Sequence, residues 1–107
     1  MKREIKKIAQ QVTQLIAEGI QPKQIFLFGS YATGNETQDS DLDFFIVTDL
    51  QNSKKIDITQ KARRLLIRKI YMPIDIIVCD TKNFETKKSD NTTLEYIVAT
   101  EGIKLYG

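Results

Sequence analysis

The sequence predicts an α/β (α+β) fold in which helices cover a β-sheet. Two stretches, residues 2–18 and 56–70, carry apolar residues at helical spacing. Around them lie runs that are apolar at consecutive positions: Ile25–Phe28, Phe44–Val47 and Ile76–Cys79. A strand that is apolar on both faces belongs inside a sheet with helices packed over it. Short polar or glycine-bearing segments separate the two kinds of pattern.

The elements follow in order. In residues 2–18, Ile5, Ile8, Ala9, Val12, Leu15 and Ile16 form one stripe, and Gly19 is the expected stop. Lys2, Arg3, Lys6 and Lys7 crowd the helix start, where the dipole disfavours positive charge, so they are assigned to solvent. Ile20 and Pro22 lead into a first strand, about 24–29. Tyr31-Ala32-Thr33 reads as a short helical turn ended by Gly34. A second strand, about 41–47, leads into a polar loop, Thr48 to Lys55. In residues 56–70, Ile58, Ala62, Leu65 and Leu66 make the buried stripe, extended by Ile70. Pro73 opens a third strand, residues 74–79, at a position that tolerates proline. Asp80 to Asn91 reads as a polar segment anchored by Phe84. Thr92-Thr93-Leu94-Glu95 has the form of a capping box before a short helix, with Leu94, Ile97 and Val98 inward and Gly102 at its end. Ile103–Tyr106 alternates, as a final edge strand does. There is no internal repeat, and residues 1–107 read as one domain.

Composition narrows the chemistry. With 41% hydrophobic and 28% charged residues, the chain has an ordinary globular balance. No apolar run approaches the ~20 residues of a membrane span, and Gln10, Gln11, Thr13 and Gln14 interrupt any signal-peptide core. The single cysteine, Cys79, fits a reducing, cytoplasmic setting. Histidine is absent, which excludes His-based acid–base chemistry, Ser-His-Asp triads and His-ligated zinc. The net charge of +2 hides a segregation. Residues 35–50 hold Glu36, Asp39, Asp41, Asp43 and Asp49 with no Lys or Arg. Residues 54–69 hold Lys54, Lys55, Lys61, Arg63, Arg64, Arg68 and Lys69 against Asp57 alone. Such a pairing suits a metal site beside a phosphate-bearing ligand or an acidic partner; the basic stripe alone reads as a solvated helix face. The stripe has no interleaved aromatics, so direct nucleic-acid binding is not expected.

The chemistry concentrates in residues 25–47, IFLFGSYATGNETQDSDLDFFIV. An apolar strand ends in Gly29-Ser30, a polar loop follows, and Asp41 and Asp43 open the next strand. Alternation puts the two carboxylates on one face, their Cα atoms roughly 6.5–7 Å apart. Carboxylates so placed suit a hard cation, and Mg²⁺ is typically held by one or two of them together with substrate phosphates. A Gly-Ser turn offers backbone N–H groups and a hydroxyl to phosphate. Asp75 is a third carboxylate, one step inside an apolar run, and it must be paired, metal-bound or at a strand end. Taken singly, each has a plainer reading: a turn, a cap, a solvent-facing strand residue, or a salt bridge from Asp75 to an arginine.

Together they carry a resemblance. Gly29-Ser30, ten residues, Asp41-Leu42-Asp43, then an isolated Asp75 on a later apolar strand resembles the DNA polymerase β-type nucleotidyltransferase superfamily. The short length points to its minimal nucleotidyltransferase (MNT) branch, which includes the MntA antitoxins paired with HEPN-domain toxins. The resemblance implies a small mixed β-sheet flanked by helices, the polymerase β-like nucleotidyltransferase fold. It implies that Gly29 and Ser30, with Gly34 and Ser40, bind the nucleotide. It also implies that Asp41, Asp43 and Asp75 bind Mg²⁺, two ions in such sites, with Asp75 helping to deprotonate the attacking hydroxyl. The chain departs in one place: Thr33 stands where many members have Arg, which removes one positive contact near the phosphates.

The function so implied is transfer of AMP from ATP to a protein hydroxyl, a tyrosine of a cognate HEPN toxin, within a hetero-oligomer in the cytoplasm. Two alternatives stand beside it. One is an antitoxin that neutralises its partner by binding alone. The other is a small-molecule nucleotidyltransferase, although known enzymes of that type carry an added acceptor domain.

Overall fold

The computed structural model describes residues 1–107. An 18-residue helix, α1 (Arg3–Ile20), precedes β1 (Gln24–Phe28), and a single turn of helix, α2 (Ser30–Thr33), follows it. Then come β2 (Leu42–Thr48), α3 (Lys55–Leu66) and β3 (Ile74–Asp80). Two short helices, α4 (Thr81–Lys87) and α5 (Leu94–Glu101), precede β4 (Ile103–Tyr106). The four strands form one mixed sheet in the order β3-β2-β1-β4. β1 is antiparallel to both β2 and β4, while β2 and β3 are parallel. A parallel pair needs a crossover connection, and α3 lies within it.

Alternation along the central strands separates two cores. Leu42, Phe44 and Ile46 of β2, with Ile25, Leu27, Ile76 and Val78, pack under Ala9, Val12 and Ile16 of α1 and Ala62 and Leu66 of α3. On the other face, Phe26, Phe45, Val47 and Cys79 pack under Phe84 of α4 and Val98 of α5. Phe84 meets Phe26 at 5.5 Å and Phe45 at 5.8 Å between ring centroids.

Several boundaries differ from expectation. α1 runs through Gly19 and ends at Gln21, whose φ of 56° and bond to Ala17 close the helix. Gly19 sits instead at the contact with α3, where a Cβ would meet the methyl groups of Leu65. α3 stops at Leu66, four residues early, because Ile67 turns extended and Arg68 adopts a φ of 67°. Ile70 still joins the core through the following turn. The segment after β3 is not merely polar. Asp80 caps a helix there, accepting the Lys82 N–H at 3.1 Å, and also accepts the Leu50 N–H at 3.0 Å. Thr93, not Thr92, caps α5, and of its three apolar positions only Val98 is buried; Leu94 and Ile97 are exposed.

Phe84 is the main apolar anchor from α4. Truncation of a buried phenylalanine costs about 3–5 kcal/mol, a large share of the 5–15 kcal/mol that holds a typical domain together. Phe84→Ala should therefore lower the urea midpoint substantially, by an amount matching that range when converted with the measured m-value.

Candidate active site

β1 ends at Phe28, and Gly29 takes the next position with φ 74° and ψ −154°. That region is essentially closed to residues with a side chain. Phe28 lies opposite Asp43 on β2, and Asp43 lies in register with Asp75 on β3. Asp43 and Asp75 thus lie side by side on adjacent strands, and Gly29 follows directly after Phe28, the residue opposite Asp43. A Cβ on Gly29 would collide with Asp43 Oδ2 and lie 3.2 Å from its Cγ. The glycine is there for both conformation and room.

By strand alternation Asp43 and Asp75 share the face of Phe45, Val47 and Cys79. α4 and α5 cover the far end of that face but leave this end open. Phe28 and Ile77 there are only partly buried, Asp43 is half-buried, and Asp75 is exposed. Phe28 meets Phe45 edge-on, its centroid at 6.0 Å. Asp75 Oδ1 accepts the Ile76 N–H at 3.1 Å. Its place, second in an edge strand, resolves why a carboxylate stands inside that apolar run.

The remaining residues divide into two groups. Asp41 precedes β2 rather than belonging to it, and is exposed. Ser30 opens α2, and its hydroxyl has no hydrogen-bond partner in the chain, although its carbonyl accepts the Asn35 N–H at 2.9 Å. The first turn of a helix leaves its N–H groups without intrahelical acceptors. Gly34 ends α2 with φ 80° and has open space where a side chain would be. Ser40 closes the loop before Asp41: its hydroxyl accepts the Thr37 N–H at 2.9 Å, and its own N–H donates to the Thr37 carbonyl at 3.2 Å. Gly34 and Ser40 therefore shape the loop, while Gly29 lies against Asp43, and Asp43 lies beside Asp75.

No lysine or arginine pairs with Asp41, Asp43 or Asp75; the chain's two ion pairs are Lys23–Asp49 and Lys88–Glu85. Burial raises the Asp43 pKa above the ordinary carboxylate value, and the charges of Asp75 and Asp41 raise it further. The three side chains do not converge as a ready three-ligand group. As a donor set, hard oxygens that nothing in the chain neutralises fit a divalent cation of the Mg²⁺ kind.

Residues 5–100 match the model of the nucleotidyltransferase domain. The chain belongs to that family. This nucleotidyltransferase is 38% identical over 84 residues, 78% of either chain, to a Methanocaldococcus jannaschii protein named "Putative protein adenylyltransferase". Among solved structures it is similar to a toxin–antitoxin with AMP-PNP, at TM-score 0.56 and 26% identity over 94% of this chain and 73% of that one. It is similar also to the MntA-HepT toxin–antitoxin in a mutant form with two Asp-to-Glu substitutions. There the TM-score is 0.55 and the identity 25%, over 91% of this chain and 71% of that one. The resemblance to the nucleotidyltransferases, and the mixed sheet it implies, are borne out.

The electrostatics give a test without nucleotide. A carboxyl whose folded pKa is raised stabilises the fold while protonated. That contribution is complete below the unfolded value, about 3.9, and is lost as pH rises through the raised folded value. Asp43→Asn should therefore be more stable than wild type at neutral pH in metal-free buffer. The difference should shrink as pH falls below about 4, as read by urea midpoints at both pH values.

Proposed function

We propose that this chain is an antitoxin enzyme that transfers AMP from ATP to a tyrosine hydroxyl of a HEPN-type toxin, with Mg²⁺, in a cytoplasmic hetero-oligomer. The observation that carries the reading is Asp43 in register with Asp75 and lying against Gly29, with no protein cation on either carboxylate. The toxin–antitoxin neighbours, one of them with AMP-PNP, support the partner and the nucleotide, and the adenylyltransferase relative supports the reaction. No helix is long and apolar enough to cross a membrane.

The residues take roles by position. Gly29 leaves room for the Asp43 carboxylate, and Ser30 offers phosphate oxygens its hydroxyl and N–H. Gly34 and Ser40 hold the loop that closes this side of the nucleotide. Asp41, Asp43 and Asp75 hold the metal. Bound there, Mg²⁺ supplies charge neutralisation to the triphosphate and acidifies an attacking hydroxyl, as in two-metal sites. Asp75, exposed on the edge strand, faces the side from which an acceptor arrives and takes the hydroxyl proton. The acceptor oxygen bonds to the α-phosphorus, the bond from that phosphorus to the bridging oxygen breaks, and pyrophosphate leaves. Such chemistry is mostly positioning and charge stabilisation, and these residues supply both without histidine.

The test is incubation with ATP, Mg²⁺ and the protein encoded by the adjacent gene, followed by intact mass. The partner should gain one or more adenylyl groups, and EDTA should abolish the gain. Asp41→Asn and Asp43→Asn should each slow transfer at least ~10²-fold, the scale of losing one preorganised electrostatic group. Ser30→Ala should cost less, on the order of the 1.5–3 kcal/mol of a hydrogen bond to a charged group. Full neutralisation of the partner by the double Asp variant, with no mass shift on wild-type treatment, would overturn the reading in favour of binding alone.

A further inference from the structure

Cross-strand register puts an aromatic ring in the row of carboxylates. Phe28 of β1 is paired with Asp43 of β2, and Asp43 with Asp75 of β3. Residues paired directly across a sheet share a face, so the ring stands beside Asp43 on the side away from Asp75. Neighbouring strands lie about 4.8 Å apart, which leaves ~10 Å between the backbones at Phe28 and Asp75. Behind this row lies a second one, Phe26, Phe45 and Ile77. Phe84 of α4 packs on Phe26 and Phe45 of that second row. Phe28 instead meets Phe45 at an interplanar angle of 89°, a T-shaped contact that occupies at most one face of its ring. Nor does α5 cover it. A Cβ on Gly102, which ends α5, would lie 3.1 Å from the Leu27 carbonyl oxygen. The helix end thus meets β1 at the residue before Phe28, and Phe28 stays partly exposed. Packing on Phe45 accounts for one side of the ring, and the exposed remainder borders the carboxylates.

The ring's position selects a part of the nucleotide as its occupant. Ser30, the proposed phosphate ligand, follows Phe28 by two residues. The Asp43 carboxylate leans to the same side, since a Cβ on Gly29 would collide with its Oδ2. Phosphates on Ser30 and a cation on Asp43 hold a nucleotide over the end of β1, whereas Asp75 stands on the outer strand. The aromatic part of a nucleotide is its base. Bases of every kind stack on aromatic side chains, and ligand sites set apolar and aromatic walls beside a few placed polar groups. We infer that the exposed part of the Phe28 ring is the platform on which the nucleobase rests. The inference rests on the nucleotidyl-transfer reading for the ligand, and on the register row and the uncovered ring for the place. A phenyl ring offers no hydrogen bond, so this platform holds a base without choosing which one.

The experiment separates base from phosphate. Two ligands are titrated with Mg²⁺ present: AMP-PNP, and tripolyphosphate, which has the phosphates but no base. By calorimetry, Phe28→Leu should bind AMP-PNP about 5- to 150-fold more weakly than wild type, the range of one base–aromatic stack, and tripolyphosphate within about twofold of it. Phe28→Tyr, which keeps a ring, should restore the AMP-PNP affinity. The chain has no tryptophan, so Phe28→Trp adds a single fluorophore at this position. AMP-PNP should quench its emission, and saturating tripolyphosphate should leave most of it. A Phe28→Leu protein that bound AMP-PNP as tightly as wild type would overturn the inference. So would one that lost both ligands together, since the ring would then merely support the fold of the site. Unchanged AMP-PNP affinity with weaker binding of the protein encoded by the adjacent gene would overturn it too, by giving the ring to the acceptor. A wild type that bound neither ligand would overturn the nucleotide reading and this inference with it. The other contrary outcomes leave that reading standing, so the two failures are told apart.

Discussion

Strand register is the constraint on which the rest depends. Phe28 opposite Asp43 and Asp43 beside Asp75 are consequences of backbone pairing along β1, β2 and β3. Side chains alternate faces with a period of two, so a slip of one residue would turn Asp43 into the α1–α3 core and expose Phe44. The slip is forbidden because both faces of β2 are filled. Phe44 and Ile46 belong to one core and Phe45 and Val47 to the other, all essentially inaccessible to solvent. Two apolar layers thus fix the position of two carboxylates that neither layer would accept.

The fixed register also creates an electrostatic debt. Asp43 is half-buried next to Asp75, and no lysine or arginine answers either. Cations are not scarce in the chain; they are placed elsewhere, along α3 and the turn beyond it. A fold selected only for stability would bring one of those arginines to the carboxylates. The separation leaves the carboxylates unneutralised by the chain's own cations. Gly29 completes the arrangement by giving backbone, rather than side chain, to the space beside Asp43.

Much of this was legible in the sequence. Apolar runs identified the strands, although the run Ile76–Cys79 belongs to an edge strand and not a central one; the Gly-Ser and Asp-x-Asp spacing pointed to the family, and alternation put Ile103–Tyr106 at an edge. Other features were hidden for physical reasons. α4 has only Phe84 as a buried anchor, too little for periodicity to show, and its signal was the capping Asp80. α3 looked longer because Ile70 continues its apolar spacing, and nothing local marks the left-handed Arg68. Leu94 and Ile97 have helical spacing, yet α5 packs through Val98 with its C-terminal end close to β1 at Gly102. The pairing of Asp43 with Asp75 is a long-range register that no local pattern encodes.

The central claim is that Asp43 and Asp75 are held together, unneutralised, for a divalent cation. Carbon-detected NMR titration of the Asp43 carboxyl, with and without Mg²⁺, tests it most directly. The account predicts a midpoint above the ordinary aspartate range without metal, from burial and from Asp75 and Asp41. It predicts a shift to lower pH when Mg²⁺ is added, because a nearby cation favours the charged form, and a smaller shift in an Asp75→Asn variant. An Asp43 titration that Mg²⁺ leaves unmoved, at concentrations that support transfer, would contradict it.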